Sequence, residues 1–259
     1  MKGFVRVFGE RQRLMPDNAD RGIALQRKYY TETAERYEEM HVLEPGSDPA
    51  DVDFIISMLG MLQATTLLDV GTASGRTLRN LKSAIPELRI CGLEPVGALL
   101  DQAVARGSST SGALIQGKGQ ALPFADKSFD AVCEFATLHH VPDPAAVVSE
   151  MLRVTKKAIF LSDCNRFGQG PLLLRLLKLG LYKARLWDAF NYLRTSGKGY
   201  RITEGDGVAY SYSVYDSFDQ IAQWAHRIIL VPGDKTKPAS WVHPLLTSGS
   251  VILCATREW

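Results

Sequence analysis

The sequence predicts an α/β protein with a seven-stranded, mostly parallel sheet and helices on both faces. The first observation behind this prediction is the alternation, from residue 66 onward, of short apolar runs with helix-like segments. Strands separated by helices at this spacing pair in parallel through right-handed crossovers. The second observation is size, because 259 residues with 46% hydrophobic content suit one domain that carries a modest insertion.

The chain before the sheet is predicted to be helical. Tyrosines and small apolar residues mix with charges between residues 20 and 41, and a second helix is expected over 51–62. Pro45, Gly46 and Pro49 break the chain between the two helices. We assign residues 1–64 to an N-terminal helical lid and lead-in.

Five strands and their connecting helices are predicted within a core of residues 65–164. Each strand is a short apolar run bounded by turn or helix signals. The predicted strands are Leu67–Val70, Arg89–Glu94, Ala113–Gln116, Phe129–Phe135 and Ala158–Ser162. The predicted helices are 76–83, 96–105 and 145–154.

The pattern changes after Cys164. Residues 165–213 are predicted to be an insertion after strand five that serves as a substrate lid. Its basic, leucine-rich segment at 171–194 leads into a β-prone run at 208–214. The core resumes over 214–259. The elements predicted there are a helix at 217–226 and strands at 228–231 and 251–256.

A ligand-binding turn is predicted at the end of the first strand, over Gly71–Gly75. In an open parallel sheet, ligands bind beyond the carboxyl ends of the strands, and small residues let the backbone approach them closely. Asp69 precedes the turn, where its carboxylate can receive an ammonium group or fix the loop. Glu94 closes the second strand, where an ionised carboxylate can accept hydrogen bonds from both hydroxyls of a ribose. Glycine turns and strand-end acids also occur as purely structural features, so the turn alone leaves both interpretations open.

Several motifs, in order, resemble those of the class I S-adenosylmethionine (SAM)-dependent methyltransferases, especially the branch that modifies small molecules. The resemblance runs from Leu67 to Asp163. Residues 67–75 (LLDVGTASG) are similar to the first motif, 91–95 (CGLEP) to the acidic second strand, and 119–144 to the third and fourth motifs. Residues 26–41 resemble the amino-terminal lid of that branch.

The resemblance implies a Rossmann-like fold and a SAM-dependent enzyme. Such an enzyme would move a methyl group to an oxygen or nitrogen of a small-molecule acceptor, of secondary-metabolite, sugar or lipid type. The product of the cofactor would be S-adenosyl-L-homocysteine (SAH). A non-catalytic binding or regulatory protein with the same fold is the alternative.

The resemblance also implies which residues hold SAM. Glu94, in the motif that Pro95 completes, would hold the ribose, and Phe135 would lie near the sulfonium. Tyr29 or Tyr30 would close over the methionine end. The residues implied to border the methionine part are Asp69, Gly71, Thr72 and Gly75, and those implied to flank adenine are Gly119, Gln120 and Ala121.

Two positions depart from the family pattern. Ala73 stands where the first motif usually has its central glycine, a small change that we expect the turn to tolerate. Lys118 stands where the family often has an acidic residue for the adenine amino group. Because lysine cannot accept a hydrogen bond, adenine contact must come from the backbone or from Gln120. Ala73 and Arg76 also disfavour an NAD-dependent oxidoreductase, whose fingerprint needs glycine at both positions.

His139 and His140 are the candidate catalytic residues. They follow strand four, where the sheet of this family faces the active site, and a histidine suits removal of a proton from a hydroxyl or amine. Methyl transfer is an in-line displacement that needs a base only when the acceptor must lose a proton. The alternative interpretation is structural: packing at the helix start near Pro142, or a place in the cleft wall.

The insertion carries a cluster of basic residues over 171–201, opposed only by Asp188. Four interpretations stay open: a substrate lid, a peripheral contact with an anionic membrane, a contact with an acidic partner, and a solvated basic face on a core-packing helix. The lid leads the functional interpretations because the segment directly follows strand five.

Composition narrows the function classes further. The net charge of +2 does not by itself argue for nucleic acid, and no Asn/Asp-Pro-Pro-aromatic motif follows strand four, so we expect a small-molecule substrate and no nucleic acid. Four widely spaced cysteines without a CxxC pair predict buried thiols, no metal site and a cytoplasmic location. We also expect neither a secretory signal nor a membrane-spanning segment.

Overall fold

The computed structural model describes residues 16–41, 50–110, 112–233 and 244–257. The rest of the predicted lid and its Pro and Gly break lie outside the described residues. The helices are α1 Pro16–Thr33, α2 Tyr37–His41, α3 Ala50–Met61, α4 Arg76–Ala84, α5 Gly97–Ala105, α6 Pro144–Val154, α7 Leu172–Lys183, α8 Trp187–Arg194 and α9 Phe218–Trp224. Within the described ranges, none of them is long and apolar enough to cross a membrane.

The long amino-terminal helix is divided in two. α1 ends at Thr33, and one 3₁₀ turn, Ala34–Arg36, connects it to α2. The hydroxyls of Thr31 and Thr33 each donate to the carbonyl four residues earlier at 2.8 Å. Such bonds compete with the helical backbone pattern and bend a helix, which accounts for the break.

The described strands form a main sheet and a small hairpin. They are β1 Thr66–Val70, β2 Arg89–Glu94, β3 Ala113–Gln116, β4 Phe129–Phe135, β5 Thr155–Cys164, β6 Tyr200–Thr203, β7 Gly207–Tyr210, β8 Arg227–Pro232 and β9 Ser250–Thr256. Seven of them form one mixed sheet in the order β3-β2-β1-β4-β5-β9-β8. β1 to β5 pair in parallel, whereas β9 runs antiparallel to both β5 and β8. The predicted seven-stranded, mostly parallel fold is confirmed.

Helices cover both faces of the sheet. Successive residues of a strand point to opposite faces, so the fully buried Leu67 packs with α3 and α4 while Leu68 packs with α6 and α9. The strand order reverses between β1 and β4. In open α/β sheets, this switch point at the carboxyl edge is where ligands bind.

Residues 165–213, which we call the insertion, fold as α7, α8 and the β6–β7 hairpin. The β-prone run predicted over 208–214 is a strand only as far as Tyr210. At the root of the insertion, Asn165 and Ser213 form an isolated bridge. Next to it, the buried guanidinium of Arg166 pairs with Asp216. The hairpin lies over the carboxyl end of β4, where it contacts the 3₁₀ turn Leu138–His140.

Candidate functional site

The turn after β1 holds its backbone in a conformation that favours glycine. Gly71, Ala73 and Gly75 have φ angles of +81°, +48° and +73°. The N–H groups of Gly71 and Thr72 both donate to the Leu93 carbonyl of β2, at 2.8 and 3.1 Å. A left-handed conformation costs a residue with a Cβ about 1–2 kcal/mol, so Ala73 is strained where a glycine would not be. The turn is fixed to β2 and leads directly into α4.

Glu94 lies at the end of β2 with its carboxylate buried beside the turn. The N–H of Ala73 donates to Oε2 at 3.1 Å, and that of Val96 donates to Oε1 at 3.0 Å. Burial raises the pKa of the Glu94 carboxyl to about 7, against the opposing effect of these two N–H groups. Each ionised oxygen keeps a further lone pair, so both can still accept from two neighbouring hydroxyls. The carboxylate therefore fits a ribose.

Asp69 and Thr72 place further polar atoms beside the turn. Asp69 is buried in β1, and this burial raises its pKa to about 6. Cys133 Sγ donates to Asp69 Oδ1 at 3.7 Å. Asp69 Oδ2 and Thr72 Oγ1 are buried without a hydrogen-bond partner of good geometry among the described residues. Buried polar atoms normally have partners, and ammonium or hydroxyl groups of a ligand can supply them.

The amino-terminal helices lie against this turn. Tyr30 and Tyr37 pack against the buried Val96 and Leu99, as Ala73 of the turn does, and the centres of the two tyrosine rings are 5.7 Å apart. Aromatic rings therefore line the turn on the side of α1 and α2.

Glu38 fastens α2 to the same turn. One of its oxygens accepts from Ser74 Oγ at 2.7 Å and from Arg79 Nη2 at 2.6 Å, and Arg106 Nη1 lies 3.3 Å from the other. Burial acts to raise the pKa of Glu38, but the hydrogen bonds from Ser74 and Arg79 outweigh it and lower that pKa. The network ties α2 to the start of α4 and the end of α5.

His139 and His140 meet Asp206 of the hairpin beyond the carboxyl end of β4. His139 Nε2 is 3.2 Å from Asp206 Oδ2, and His140 Nε2 is 3.2 Å from Asp206 Oδ1. The other ring nitrogens are also engaged, because His139 Nδ1 donates to Asp163 Oδ1 and His140 Nδ1 donates to the Val208 carbonyl, both at 2.7 Å. We call His139, His140 and Asp206 the histidine cluster.

Two carboxylates surround His139. Burial acts to lower the pKa of this histidine, but Asp163 and Asp206 outweigh it and raise that pKa well above its usual value. Asp163 is itself buried and accepts from the N–H groups of Leu138 and His139, at 2.9 and 3.2 Å. The same carboxylate therefore fixes both the 3₁₀ turn and the ring that it carries.

Tyr30 joins the histidine cluster to the β1 turn. Its hydroxyl is 3.0 Å from His140 Nε2, and the two rings meet edge to face with their centres 5.6 Å apart. Tyr30 also packs against the buried Val96 and Leu99, the residues against which Ala73 of the turn packs, so one side chain links the histidine cluster to the hydrophobic cluster beside the turn. Tyr29, by contrast, reaches the hairpin and donates to the Glu204 carbonyl at 2.7 Å.

A cavity of about 780 Å³ lies between the histidine cluster and the insertion. His139 and Asp206 line it on one side, and leucines with Trp187 and Phe190 line it from α7 and α8. Asp206 is the one carboxylate among the described lining residues. The basic lining residues are Arg166, Lys178, Arg194 and Arg201. Burial and the surrounding arginines lower the pKa of Lys178.

Comparison with known proteins identifies the family. A family model described as a methyltransferase domain matches residues 68–161. An uncharacterized methyltransferase from Mycolicibacterium gilvum is 36% identical over 181 residues, which are 65% of this chain and 70% of the relative. The chain belongs to the class I SAM-dependent methyltransferases. The cofactor of this family is SAM.

Two further comparisons extend this result. Demethylmenaquinone methyltransferase from Thermotoga maritima is 28% identical over 131 residues, which are 50% of this chain and 56% of the relative. The match thus spans little more than half the length of that relative. The solved structure of magnesium protoporphyrin IX methyltransferase from Synechocystis with bound SAH covers 91% of this chain and 100% of its own. Its TM-score is 0.59 at 15% identity, so the two share the fold.

In this methyltransferase, several residues predicted to hold SAM come together around the β1 turn. Glu94 and Tyr30 flank the turn, whereas Tyr29 contacts the hairpin instead. Phe135 ends β4 half-buried and packs with the core cluster of α3 and α4. The Pro95 carbonyl accepts from Gln116 Nε2 at 3.3 Å. The cofactor-binding roles of all these residues stay predictions.

The residues predicted to flank adenine lie in the loop between β3 and β4. A Cβ on Gly119 would stand 2.9 Å from a methyl carbon of Val147, so the close approach of α6 requires glycine there. Gln120 is half-buried, whereas Lys118 and Ala121 are exposed. The Ala121 N–H donates to the Lys118 carbonyl at 3.1 Å and closes the turn. Their contact with adenine also stays a prediction.

Asp163 and Asp206 were not among the residues singled out from the sequence. Asp163 occupies the carboxyl end of β5, as Asp69 and Glu94 do in their strands, so the strand-end argument could have found it. Asp206 stands between two glycines in a hairpin turn, 67 positions from the histidine that it contacts. No local signal marks such a residue. The same holds for the buried Gln26, which accepts from Val208 N of the hairpin.

Proposed function

We propose that this chain transfers the methyl group of SAM to an oxygen or nitrogen of a small molecule bound in the cavity beneath the insertion. The observation that carries the proposal is the position of the histidine cluster between the β1 turn and the cavity. Tyr30 packs in the same hydrophobic cluster as Ala73 of the turn and bonds to His140, while His139 lines the cavity. Bound SAM supplies an electrophilic methyl group on its sulfonium. The task of the chain is to hold the acceptor atom in line with that group and to exclude water.

His139 and His140 are the proposed catalytic residues that activate the acceptor. Asp163 engages His139 Nδ1, which leaves Nε2 as the nitrogen directed at Asp206. Nε2 faces a carboxylate and so carries a proton of its own, which it must release to solvent after Asp206 leaves before it can take a proton from the acceptor. Displacement of the β6–β7 hairpin is therefore part of the proposed mechanism, and the insertion serves as a lid.

The cavity lining favours an acceptor that joins an apolar body to an anionic group. Leucines and aromatic rings suit the apolar body, and four basic side chains against one carboxylate attract an anion. One relative is named for demethylmenaquinone and one solved structure for magnesium protoporphyrin IX, both of them small molecules. These names support the small-molecule class and no particular acceptor.

The outer face of the insertion supports delivery of such an acceptor from an anionic membrane surface. Leu173 and Leu193 are 82% and 78% exposed, and most leucines of α7 are exposed as well. Lys183 and Arg185 stand exposed at the end of α7. Apolar side chains beside exposed basic ones bind anionic bilayers through insertion and charge attraction together. We therefore propose a membrane, rather than an acidic protein, as the partner of this face.

Calorimetric titration of the full chain with SAM, SAH and NAD tests the cofactor part of the proposal. We expect micromolar binding of SAM and SAH and no binding of NAD. If neither SAM nor SAH bound, the non-catalytic alternative would replace the enzyme.

Trp187 fluorescence tests the acceptor class, because this ring lines the cavity. Dodecanoate and dodecanol share an apolar body and differ in charge. We expect dodecanoate to bind at least about tenfold more tightly, since a charged hydrogen bond contributes about 1.5–3 kcal/mol. The Arg194→Gln variant should reduce this difference. Equal affinities for the two probes would contradict an anionic acceptor.

Cosedimentation with vesicles tests the membrane contact. Vesicles of phosphatidylglycerol should retain the wild-type chain, and Leu173→Glu should release it. The control is Met61→Glu in α3, because this side chain is exposed and lies outside the insertion. Equal retention of all variants, or equal retention on phosphatidylcholine, would exclude the proposed surface.

A further inference from the structure

We infer that His139, His140 and Asp206 bind one divalent transition-metal ion. One potential ligand atom from each residue lies within 4.8 Å of the others. Asp206 Oδ2 and Oδ1 are each 3.2 Å from a histidine Nε2. Ligands about 2.0–2.2 Å from a shared ion stand roughly this far apart, so small shifts of these side chains would admit an ion.

The strongest support for a metal site comes from the hydrogen bonds of the two Nδ1 atoms, which face away from Asp206. His139 Nδ1 donates to the buried carboxylate of Asp163, and His140 Nδ1 donates to the Val208 carbonyl. The Val208 carbonyl can only accept, so this 2.7 Å contact needs the proton on Nδ1, although Gln26 Nε2 also lies 3.1 Å from that nitrogen. An ion at Nε2 would displace any proton that Nε2 shares with Asp206. Histidine ligands of metals almost always hold their second nitrogen in this way, against a carboxylate or a carbonyl. Here both histidines do so.

A second possible group, His139 with Asp163 and Cys164, lacks these features. Its histidine nitrogen, Nδ1, is already bonded to the Asp163 carboxylate. Cys164 Sγ donates to the Tyr212 carbonyl at 3.1 Å, and burial raises the pKa of this thiol well above its usual value. A thiol that keeps its proton is a poor ligand, so the histidine cluster is the better site.

Two imidazoles and one carboxylate select the kind of ion. Imidazole suits zinc, iron, nickel and copper better than it suits magnesium or calcium, which prefer all-oxygen sites. Three protein ligands also leave coordination positions open. His139 and Asp206 line the cavity, so the open positions would face a bound acceptor. The ion would replace the hydrogen bond between Tyr30 and His140 Nε2.

With the ion bound, the acceptor could be activated without displacement of the β6–β7 hairpin, because the histidines would act as ligands of the ion and not as bases. An acceptor hydroxyl bound to it would lose its proton more readily, and that proton would pass to solvent. This role rests on the proposed methyl transfer. Ion binding itself does not, and it can be measured without any acceptor.

Cobalt titration of the untagged full chain, after dialysis against a chelator, tests the site. We expect one equivalent of Co²⁺ with visible absorption bands, and displacement of it by Zn²⁺. Asp206→Ala and His140→Gln should each weaken Co²⁺ binding by at least about tenfold. The matched control is His226→Gln, an exposed histidine outside the cluster, which should bind Co²⁺ as the wild type does.

Circular dichroism of the same variants shows whether they are folded, and SAM titration of the wild type separates this inference from the proposed function. A folded variant that has lost Co²⁺ binding would support the metal site. Co²⁺ uptake below one equivalent in the wild type would overturn it, and so would equal uptake by wild type and Asp206→Ala. Failure of SAM to bind would count against the proposed function and leave the metal result intact.

Discussion

The β1 turn and the insertion face each other across the histidine cluster, and they are built in different ways. The turn is held by backbone hydrogen bonds and by the buried carboxylate of Glu94, between strands whose side chains are fully buried. The insertion leaves leucines exposed and forms its own two-stranded sheet. It joins the core at its root and through hydrogen bonds from the β6–β7 hairpin to α1 and the two histidines. The turn, where we place the cofactor, is therefore part of the core, whereas the proposed acceptor cavity is lined mainly by the insertion, which we propose to move.

Leucine truncation provides the largest contrast between the two regions. Leu161→Ala in β5 removes a fully buried side chain, and we expect the free energy of unfolding to fall by about 3 kcal/mol. Leu173→Ala in α7 removes one that is 82% exposed, and it should change stability by less than about 0.5 kcal/mol. Urea unfolding of the SAM-free chain measures both. A similar cost for the two variants would mean that α7 packs against something in solution.

Removal of the Glu94 carboxylate should act on the cofactor side alone. Glu94→Ala loses an acceptor for two hydroxyls, and we expect SAM affinity to fall by about 2–3 kcal/mol, or roughly 30- to 150-fold. Glu204→Ala in the hairpin removes an exposed carboxylate and should leave SAM affinity unchanged. Calorimetry measures both variants, with circular dichroism as the folding control. Unchanged affinity in Glu94→Ala would mean that the cofactor lies elsewhere.

The same carboxylate predicts how SAM affinity depends on pH. Burial raises the pKa of Glu94 from its ordinary value of 4.5 to about 7, and only the ionised form accepts from both hydroxyls. SAM affinity should therefore fall as pH drops below about 7, by at most about tenfold per pH unit. Asp69, with its pKa raised to about 6, adds to the effect only at lower pH. In Glu94→Gln, SAM affinity should no longer fall between pH 8 and pH 6.5. If it still fell in this variant, the pH dependence would belong to another group.

The smallest expected effect concerns Ala73. Its φ of +48° is a conformation that glycine adopts without strain, so Ala73→Gly relieves about 1–2 kcal/mol in the folded state. Glycine also makes the unfolded chain more flexible, and this lowers the free energy of unfolding by about 0.4–1 kcal/mol. We expect a net gain of up to about 1 kcal/mol in thermal unfolding. Ala222→Gly, at an exposed position of α9, should instead lose about 1 kcal/mol. Losses of equal size in both variants would contradict the strain at Ala73.

The two regions also differ in how far the sequence predicts them. β1, β2 and β4 are local apolar runs, and β1 ends at a glycine turn and β2 at an acid, so the positions of Asp69 and Glu94 follow from short-range patterns. Asp206 depends on a fold-back that brings a surface hairpin to a histidine far away in sequence. Such a contact is decided by tertiary packing, which no local pattern records. The exposure of the α7 leucines could not be predicted from the sequence for the same reason, because apolar residues in a helix normally indicate burial.

Tyr30 has a thermodynamic consequence for the order in which ligands bind. Its ring packs in the same hydrophobic cluster as Ala73 of the β1 turn, where we place the cofactor, while its hydroxyl bonds to His140 beside the proposed acceptor cavity. Whichever ligand binds first, cofactor or acceptor, immobilises the Tyr30 side chain. The second ligand then binds a side chain that is already ordered, so its own binding loses less conformational entropy. Cofactor and acceptor should therefore strengthen each other's binding, and by reciprocity the factor must be the same in both directions.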